Sequence, residues 1–317
     1  MKIVFMGTPD FAVPCLDRLL REGHEVTLVV TRADRPRGRG HKLAAPPVKE
    51  YALAHGLPVY QPAGVKSDEA FERLREAAPD VIVVVAYGRI LPPRVLELPR
   101  FGCINIHASL LPRYRGAAPI QWAVLNGETT AGVTSMQMNA GLDTGDMLIS
   151  RAIPVPPDMT GGELHDALSV LGADVLADTL HALEAGTLTR TPQDDAASTY
   201  APMLDKSLCP MDFSRPAARL HDQVRGLNPW PSASCVCGDR LLKVHRTQIG
   251  SECMAAPGTV VALDPFTVAC GEGTSLIFAE VQPEGSRRMA AADFLRGHPI
   301  AVGTVLGSGQ NENSGEE

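Results

Sequence analysis

Apolar and polar positions alternate in blocks from the first residues onward. The run K-I-V-F-M-G at 2–7 breaks at the turn formers Thr8, Pro9 and Asp10, after which apolar residues recur at Phe11, Cys15, Leu16, Leu19 and Leu20. That spacing predicts a strand, a tight turn and a helix. The β-branched runs at 25–31 and 80–87 are separated by helical patterns near 46–55 and 67–77, each opened by turn residues. Strands that alternate with helices predict parallel pairing through crossovers. Further strands are expected at 103–109, 133–138 and 147–155, and a long helix at 160–183, closed by Gly186. The fold class is therefore α/β, with an open, mostly parallel sheet in the N-terminal part.

Between 188 and 209 the periodicity stops, and Thr, Pro, Asp and Ser dominate, as in a connector. Beyond it a helix at 214–226 and short strand-like runs at 233–237, 240–246, 258–263, 266–270 and 274–281 predict a small β-barrel. The expected organisation is a first domain over 1–189, a linker over 190–208, a barrel over 209–307 and a disordered tail over 308–317, which lacks any large apolar residue. No internal repeat is visible, which excludes solenoids and propellers.

Composition narrows the class. The chain has 317 residues, 44% of them apolar and 21% charged, the profile of a soluble globular protein of two domains. The longest apolar run, 81–87, falls far short of the roughly 20 residues that cross a bilayer, and no basic lead precedes an apolar stretch, so a cytoplasmic protein is expected. Seven cysteines form no C-x-x-C pair, which argues for reduced thiols. Cys235 and Cys237 supply two of the four ligands that a structural zinc needs, so no metal is expected.

A net charge of -7 argues against a polyanionic partner, but its distribution reverses that. Residues 32–49 hold six basic side chains against Asp34 alone, whereas 203–300 balances ten basic with ten acidic residues. The stretch D-R-P-R-G-R-G-H-K-L at 34–43, with Gly38 and Gly40, is expected to be a mobile, exposed loop. A solvated charge run is the plain interpretation. Arg39 and Lys42 in such a loop can also clamp phosphates and reach a bent single-stranded end.

Only Gly7 stands where a dinucleotide fingerprint needs three spaced glycines, so nicotinamide binding is set aside. The informative stretch is G-C-I-N-I-H-A-S-L-L-P-R-Y-R-G-A-A-P at 102–119. Asn105 and His107, two apart on a predicted strand, share one face and hence one pocket at the carboxyl edge of the sheet. Asp143 lies in G-L-D-T-G, where glycines let a loop fold inward and deliver a carboxylate. Taken singly, the first two are ordinary core polar groups and the third an ordinary turn aspartate. Together they can hold an oxyanion and move a proton. No G-x-S-x-G elbow or nucleophilic cysteine motif accompanies them, so a covalent intermediate is unnecessary.

These residues resemble the methionyl-tRNA formyltransferase family nearly end to end. The likeness is carried by F-M-G-T-P-D-F at the start, the 34–43 stretch, V-V-A-Y-G-R-I-L at 84–91, N-I-H-A-S-L-L-P-R-Y-R-G-A-A-P-I at 105–120, G-L-D-T-G-D-M-L at 141–148 and N-P-W-P at 228–231. The resemblance implies a Rossmann-like formyltransferase fold with an oligonucleotide-binding (OB-like) barrel, acting as a monomer without metal. It implies transfer of a formyl group from 10-formyltetrahydrofolate to the α-amine of methionine on charged initiator tRNA, by direct amine attack. Asn105, His107 and Asp143 carry over as the catalytic set. Tyr87, Gly88, Ile90, Leu91, Ser109, Leu110, Leu111 and Pro112 carry over to the folate site, and Arg39, Lys42 and Lys206 to the tRNA. The donor chemistry is shared more widely than the acceptor, so the alternatives are a formyltransferase acting on an amino sugar nucleotide and a non-catalytic folate- or RNA-binding protein.

Overall fold

Residues 1–37 and 42–307 are described in the computed structural model, so Arg39 and the 308–317 tail lie outside the described residues. In chain order the elements run β1 (Lys2–Gly7), α1 (Val13–Arg21), β2 (Glu25–Val30), β3 (Arg35–Arg37), β4 (Lys42–Ala44), α2 (Pro47–Ala54), β5 (Val59–Tyr60), α3 (Asp68–Glu76) and β6 (Val81–Val85). There follow α4 (Pro93–Leu96), β7 (Cys103–His107), β8 (Arg115–Gly116), α5 (Pro119–Leu125), β9 (Thr130–Gln137), β10 (Met147–Pro154), α6 (Gly161–Glu184) and β11 (Tyr200–Ala201).

Seven strands form one sheet in the order β10-β9-β7-β6-β1-β2-β5. β1 pairs in parallel with β2 and β6, β2 with β5, and β6 with β7, while β9 runs antiparallel to β7. From β1 the chain first builds outward through β2 and β5, then returns to place β6 on the other side of β1. The strand order therefore reverses between β1 and β6, the position at which open α/β sheets form ligand crevices. All five residues of β6 are buried, which is why V-I-V-V-V reads as a continuous apolar run. One face packs as a cluster that includes Val4, Met6, Leu28, Val30, Ile82, Val84 and Val95. Helix α3 starts where the Ser67 hydroxyl accepts from the Ala70 amide, with Asp68 and Glu69 in its first turn and Arg73 and Arg75 in its last, as the helix dipole favours.

The 34–43 stretch, expected to be a mobile, exposed loop, has paired flanks. β3 and β4 pair antiparallel with Arg37 opposite Lys42, so two extended segments bracket residues 38–41, which lie outside the described residues.

Two compact units emerge, one of Met1–Pro119, Thr130–Ile153 and His165–Ala201, the other of Ile120–Thr129, Pro154–Leu164 and Pro202–Glu317. The second contains α7 (Ala217–Gly226), β12 (Ala233–Cys237), β13 (Arg240–Ile249), β14 (Val260–Leu263), β15 (Phe266–Cys270), β16 (Thr274–Pro283), β17 (Met289–Ala290) and α8 (Ala291–Gly297). Its sheet runs β12-β13-β16-β15-β14, antiparallel at each described pairing. The segment at 303–307 joins the two edges: Val236 and Gly307 exchange backbone hydrogen bonds of 2.9 Å, and Val260 donates to the Thr304 carbonyl at 2.8 Å. Both edges of the ladder are thereby occupied, the closure that makes a sheet a barrel.

Candidate active site

The strand period places Cys103, Asn105 and His107 on one face of β7, with Val84 beside Asn105 and Thr134 of β9 beside His107. Cys103 is buried in the apolar cluster, and burial pushes its thiol up to about 12. Asn105 is half-buried, and its carboxamide bonds to no other group among the described residues. His107 is buried at 6% exposure.

The imidazole is oriented from the backbone. Its Nε2 lies 2.9 Å from the Tyr114 carbonyl oxygen, which can only accept, so Nε2 carries the proton and donates. Nδ1 is then the nitrogen left for chemistry, and it faces Asp143 Oδ2 at 3.7 Å. That separation is an electrostatic contact without a direct hydrogen bond.

Asp143 reaches this position because its loop is folded tightly. Its backbone is left-handed, φ 53°. Asn139 Oδ1 accepts from the Gly141 amide at 3.0 Å and from the Thr144 hydroxyl at 2.9 Å. A Cβ on Gly145 would run into the Gln137 carbonyl, so glycine is required there by close approach. The Asp143 carboxylate accepts from the Gly116 amide at 2.9 Å.

The Ser109–Pro112 turn follows β7 directly. Ser109 Oγ donates to the Arg113 carbonyl at 2.7 Å, and the buried Thr134 hydroxyl donates to the Ser109 carbonyl at 2.7 Å while accepting from the Leu111 amide at 3.2 Å. Leu110 packs over Gly132, where a side chain would collide with it, and the Leu111–Pro112 peptide is cis. After β6, Tyr87 and Leu91 are buried in the cluster. Burial raises the Tyr87 hydroxyl above its ordinary range, and that hydroxyl has no hydrogen-bond partner among the described residues. Gly88 adopts φ 74° and Ile90 is 65% exposed. The backbone amides of 88–91 donate to nothing among the described residues. This loop therefore offers free main-chain donors beside one exposed apolar side chain.

On the basic stretch, Lys49 donates to Asp34, as does Gln61; the Gln61 and Lys49 hydrogen bonds hold that carboxyl below its ordinary range. Lys42 opens β4, and Lys206 is exposed in a short turn at Lys206–Leu208. Cys235 and Cys237 alternate on β12, the first buried and the second half-buried. No group of three or more His, Cys, Asp or Glu among the described residues is placed to hold a metal, and no helix among them is long and apolar enough to cross a membrane.

A family model described as formyl transferase matches residues 1–180, and one described as formyl transferase, C-terminal domain, matches 203–299. The methionyl-tRNA formyltransferase of Geobacter metallireducens is 52% identical over 309 residues, covering 97% of this chain and 99% of that protein. The chain belongs to the methionyl-tRNA formyltransferase family. The enzyme of that name from Ruminiclostridium cellulolyticum is 49% identical over 312 residues, covering 97% of this chain and all of its own length (100%). Among solved structures, an N-formyltransferase from Helicobacter canadensis in complex with folinic acid and dTDP-3-aminofucose superimposes with a TM-score of 0.68 at 18% identity, covering 88% of this chain and 98% of its own. HypX from Aquifex aeolicus in complex with tetrahydrofolic acid gives 0.61 at 19% identity, over 93% of this chain and 47% of its own. At such identities these two neighbours establish the fold: a formyltransferase sheet domain followed by a small antiparallel barrel.

Sequence reading passed over Tyr114, Gly116, Thr134 and Gln193. The first two act through backbone atoms, and Thr134 and Gln193 bond to backbone, so neither residue type nor periodicity marks them.

Proposed function

We propose that this chain transfers the formyl group of 10-formyltetrahydrofolate to the α-amine of methionine on charged initiator tRNA, in the cytoplasm and without a covalent enzyme intermediate. The observation that carries the reading is the pairing of His107 Nδ1 with Asp143 Oδ2 at 3.7 Å, beside an Asn105 carboxamide free to donate. The amine attacks the formyl carbon, and the carbonyl oxygen becomes an oxyanion that the Asn105 amide holds. Because Nε2–H is committed to Tyr114, the imidazole meets the substrate through Nδ1, which takes the proton leaving the amine. The resulting imidazolium is paired by Asp143 and gives that proton to N10 as the oxyanion collapses and the C–N10 bond breaks, releasing tetrahydrofolate and the formylated amine.

Free amides at 88–91, the exposed Ile90 and the Ser109–Pro112 turn are the groups for the folate donor. Arg39, Lys42 and Lys206 are the groups for RNA phosphates, with the first domain carrying the chemistry and the barrel assisting RNA binding. The test is single-turnover transfer from labelled 10-formyltetrahydrofolate. Label on charged tRNA supports the reading. Label on an amino sugar nucleotide instead would move the acceptor to that class, and no transfer to either would leave a binding protein.

A further inference from the structure

Asp143 is held 3.7 Å from His107 with no direct hydrogen bond between them, so their separation is set by the backbones that carry them. Two segments matter: the Asp143 loop, and residues 114–116, which present the Tyr114 carbonyl to His107 and the Gly116 amide to Asp143. One side chain spans both. The Gln193 carboxamide donates from Nε2 to the Asp143 carbonyl at 2.8 Å and to the Gly145 carbonyl at 2.7 Å. Its Oε1 accepts from Arg115 Nε at 3.0 Å, and Arg115 in turn pairs with Asp195 at 2.8 Å. Just beyond, the Tyr114 amide donates to Thr199 Oγ1 at 2.8 Å, and β11 lies parallel to β8.

We propose that Gln193 is a positioning residue for the His107–Asp143 pair, clasping the Asp143 loop to the 114–116 segment. The inference rests on the reading above that Asp143 serves the reaction. The chemistry is specific to a carboxamide. Two donors on one nitrogen meet two carbonyls, and an acceptor on the adjacent oxygen meets a guanidinium; a carboxylate would satisfy Arg115 but face both carbonyls with negative charge. The clasp also explains how a non-glycine residue is kept at φ 53° in a loop with glycines at 141 and 145.

The experiment compares Gln193→Ala, Gln193→Glu, Asp143→Asn and the Gln193→Ala/Asp143→Asn double variant of the full chain. Formyl transfer to charged tRNA is measured well below the unfolding temperature, with Tm recorded for each. Gln193→Ala is expected to lower kcat about tenfold or more with KM for the folate donor within about twofold, since displacements of about 1 Å carry losses up to about a hundredfold. Gln193→Glu should lose at least as much. In the Asp143→Asn background the further loss should shrink to under about twofold, because groups acting as a unit are not additive. An undiminished kcat in Gln193→Ala, an equal fold-loss in both backgrounds, or a loss that tracks the unfolded fraction would overturn the assignment. Full activity in Asp143→Asn would instead overturn the mechanism on which it rests.

Discussion

The sharpest quantitative consequence of the site concerns the Asp143 carboxylate. Asp143→Asn keeps the size of the side chain and an oxygen to accept from the Gly116 amide, which donates to the carboxylate at 2.9 Å, but removes the charge facing His107. The side chains of His107 and Asp143 are 7% and 13% exposed, so an effective dielectric near 20 is the appropriate one. At 3.7 Å that gives about 4 kcal/mol of attraction between carboxylate and imidazolium, against about 1 kcal/mol if water screened the pair fully. This attraction exists only after Nδ1 has taken the amine's proton, so it belongs to the transition state and not to substrate binding. With about 1.4 kcal/mol per factor of ten, kcat should fall by about two to three orders of magnitude while both KM values stay within about threefold. Single-turnover formyl transfer at saturating donor and charged tRNA, with Tm as a control on folding, measures it. A fall of less than about fivefold, the fully screened value, would refute the claim that a desolvated ion pair carries the proton transfer.

Three further outcomes follow from other contacts. Thr134→Val removes a buried hydroxyl that donates to the Ser109 carbonyl and accepts from the Leu111 amide, so denaturant unfolding should register a loss of about 1–3 kcal/mol, with KM for the folate donor raised because the Ser109–Pro112 turn loosens. Glu163 forms a reciprocal cap with Thr160 at the start of α6 and pairs with Arg246; the Thr160 amide, then Arg246, lower its carboxyl from 4.5 to about 2. A lowered folded-state value stabilises the fold above the unfolded value and is lost as pH falls toward the folded one. The Tm advantage of the unsubstituted chain over Glu163→Gln should therefore be present at pH 7, shrink between about pH 4.5 and 2, and vanish below; an advantage that persists there would contradict the assignment. Replacing Lys206 by Ala should weaken tRNA binding and flatten the slope of log affinity against log salt by about 0.7–0.9, the release of one counterion, whereas an unchanged slope would remove Lys206 from the phosphate contacts.

Much of the architecture was legible because parallel strands covered on both faces carry continuous β-branched runs, as at Val81–Val85, and because crossover helices between them announce their ends. Ser67 before α3 and the Thr160–Glu163 pair before α6 are capping signals readable from residue type and spacing. The antiparallel direction of β9 was not legible, since strand periodicity is the same whichever way a strand runs. The closure of the barrel by 303–307 was not legible either: it is made by backbone groups of a glycine-containing segment with no hydrophobic period. For the site, period two alone placed Asn105 and His107 together, whereas the approach of Asp143, 36 positions past His107 in sequence, entered through family resemblance. Residue type gives no sign of the carbonyl and the amide that orient the pair, because every residue other than proline carries both.

The segment that reads as a plain connector illustrates the physical limit of such reading. Hydropathy finds elements that bury side chains, and the residues from Gln193 to Ala201 bury little: Gln193 binds two carbonyls and a guanidinium, Thr199 accepts from Tyr114, and Ala201 accepts from Ala117 through its backbone. Contacts of this kind leave a polar, aperiodic text identical to that of a solvated linker, yet they place Gln193–Ala201 within the first compact unit, against the strand that faces His107 and Asp143. Shortening this stretch would therefore act on kcat before it acted on stability, because what it holds is the distance between a buried imidazole and a carboxylate, and only a small part of the core.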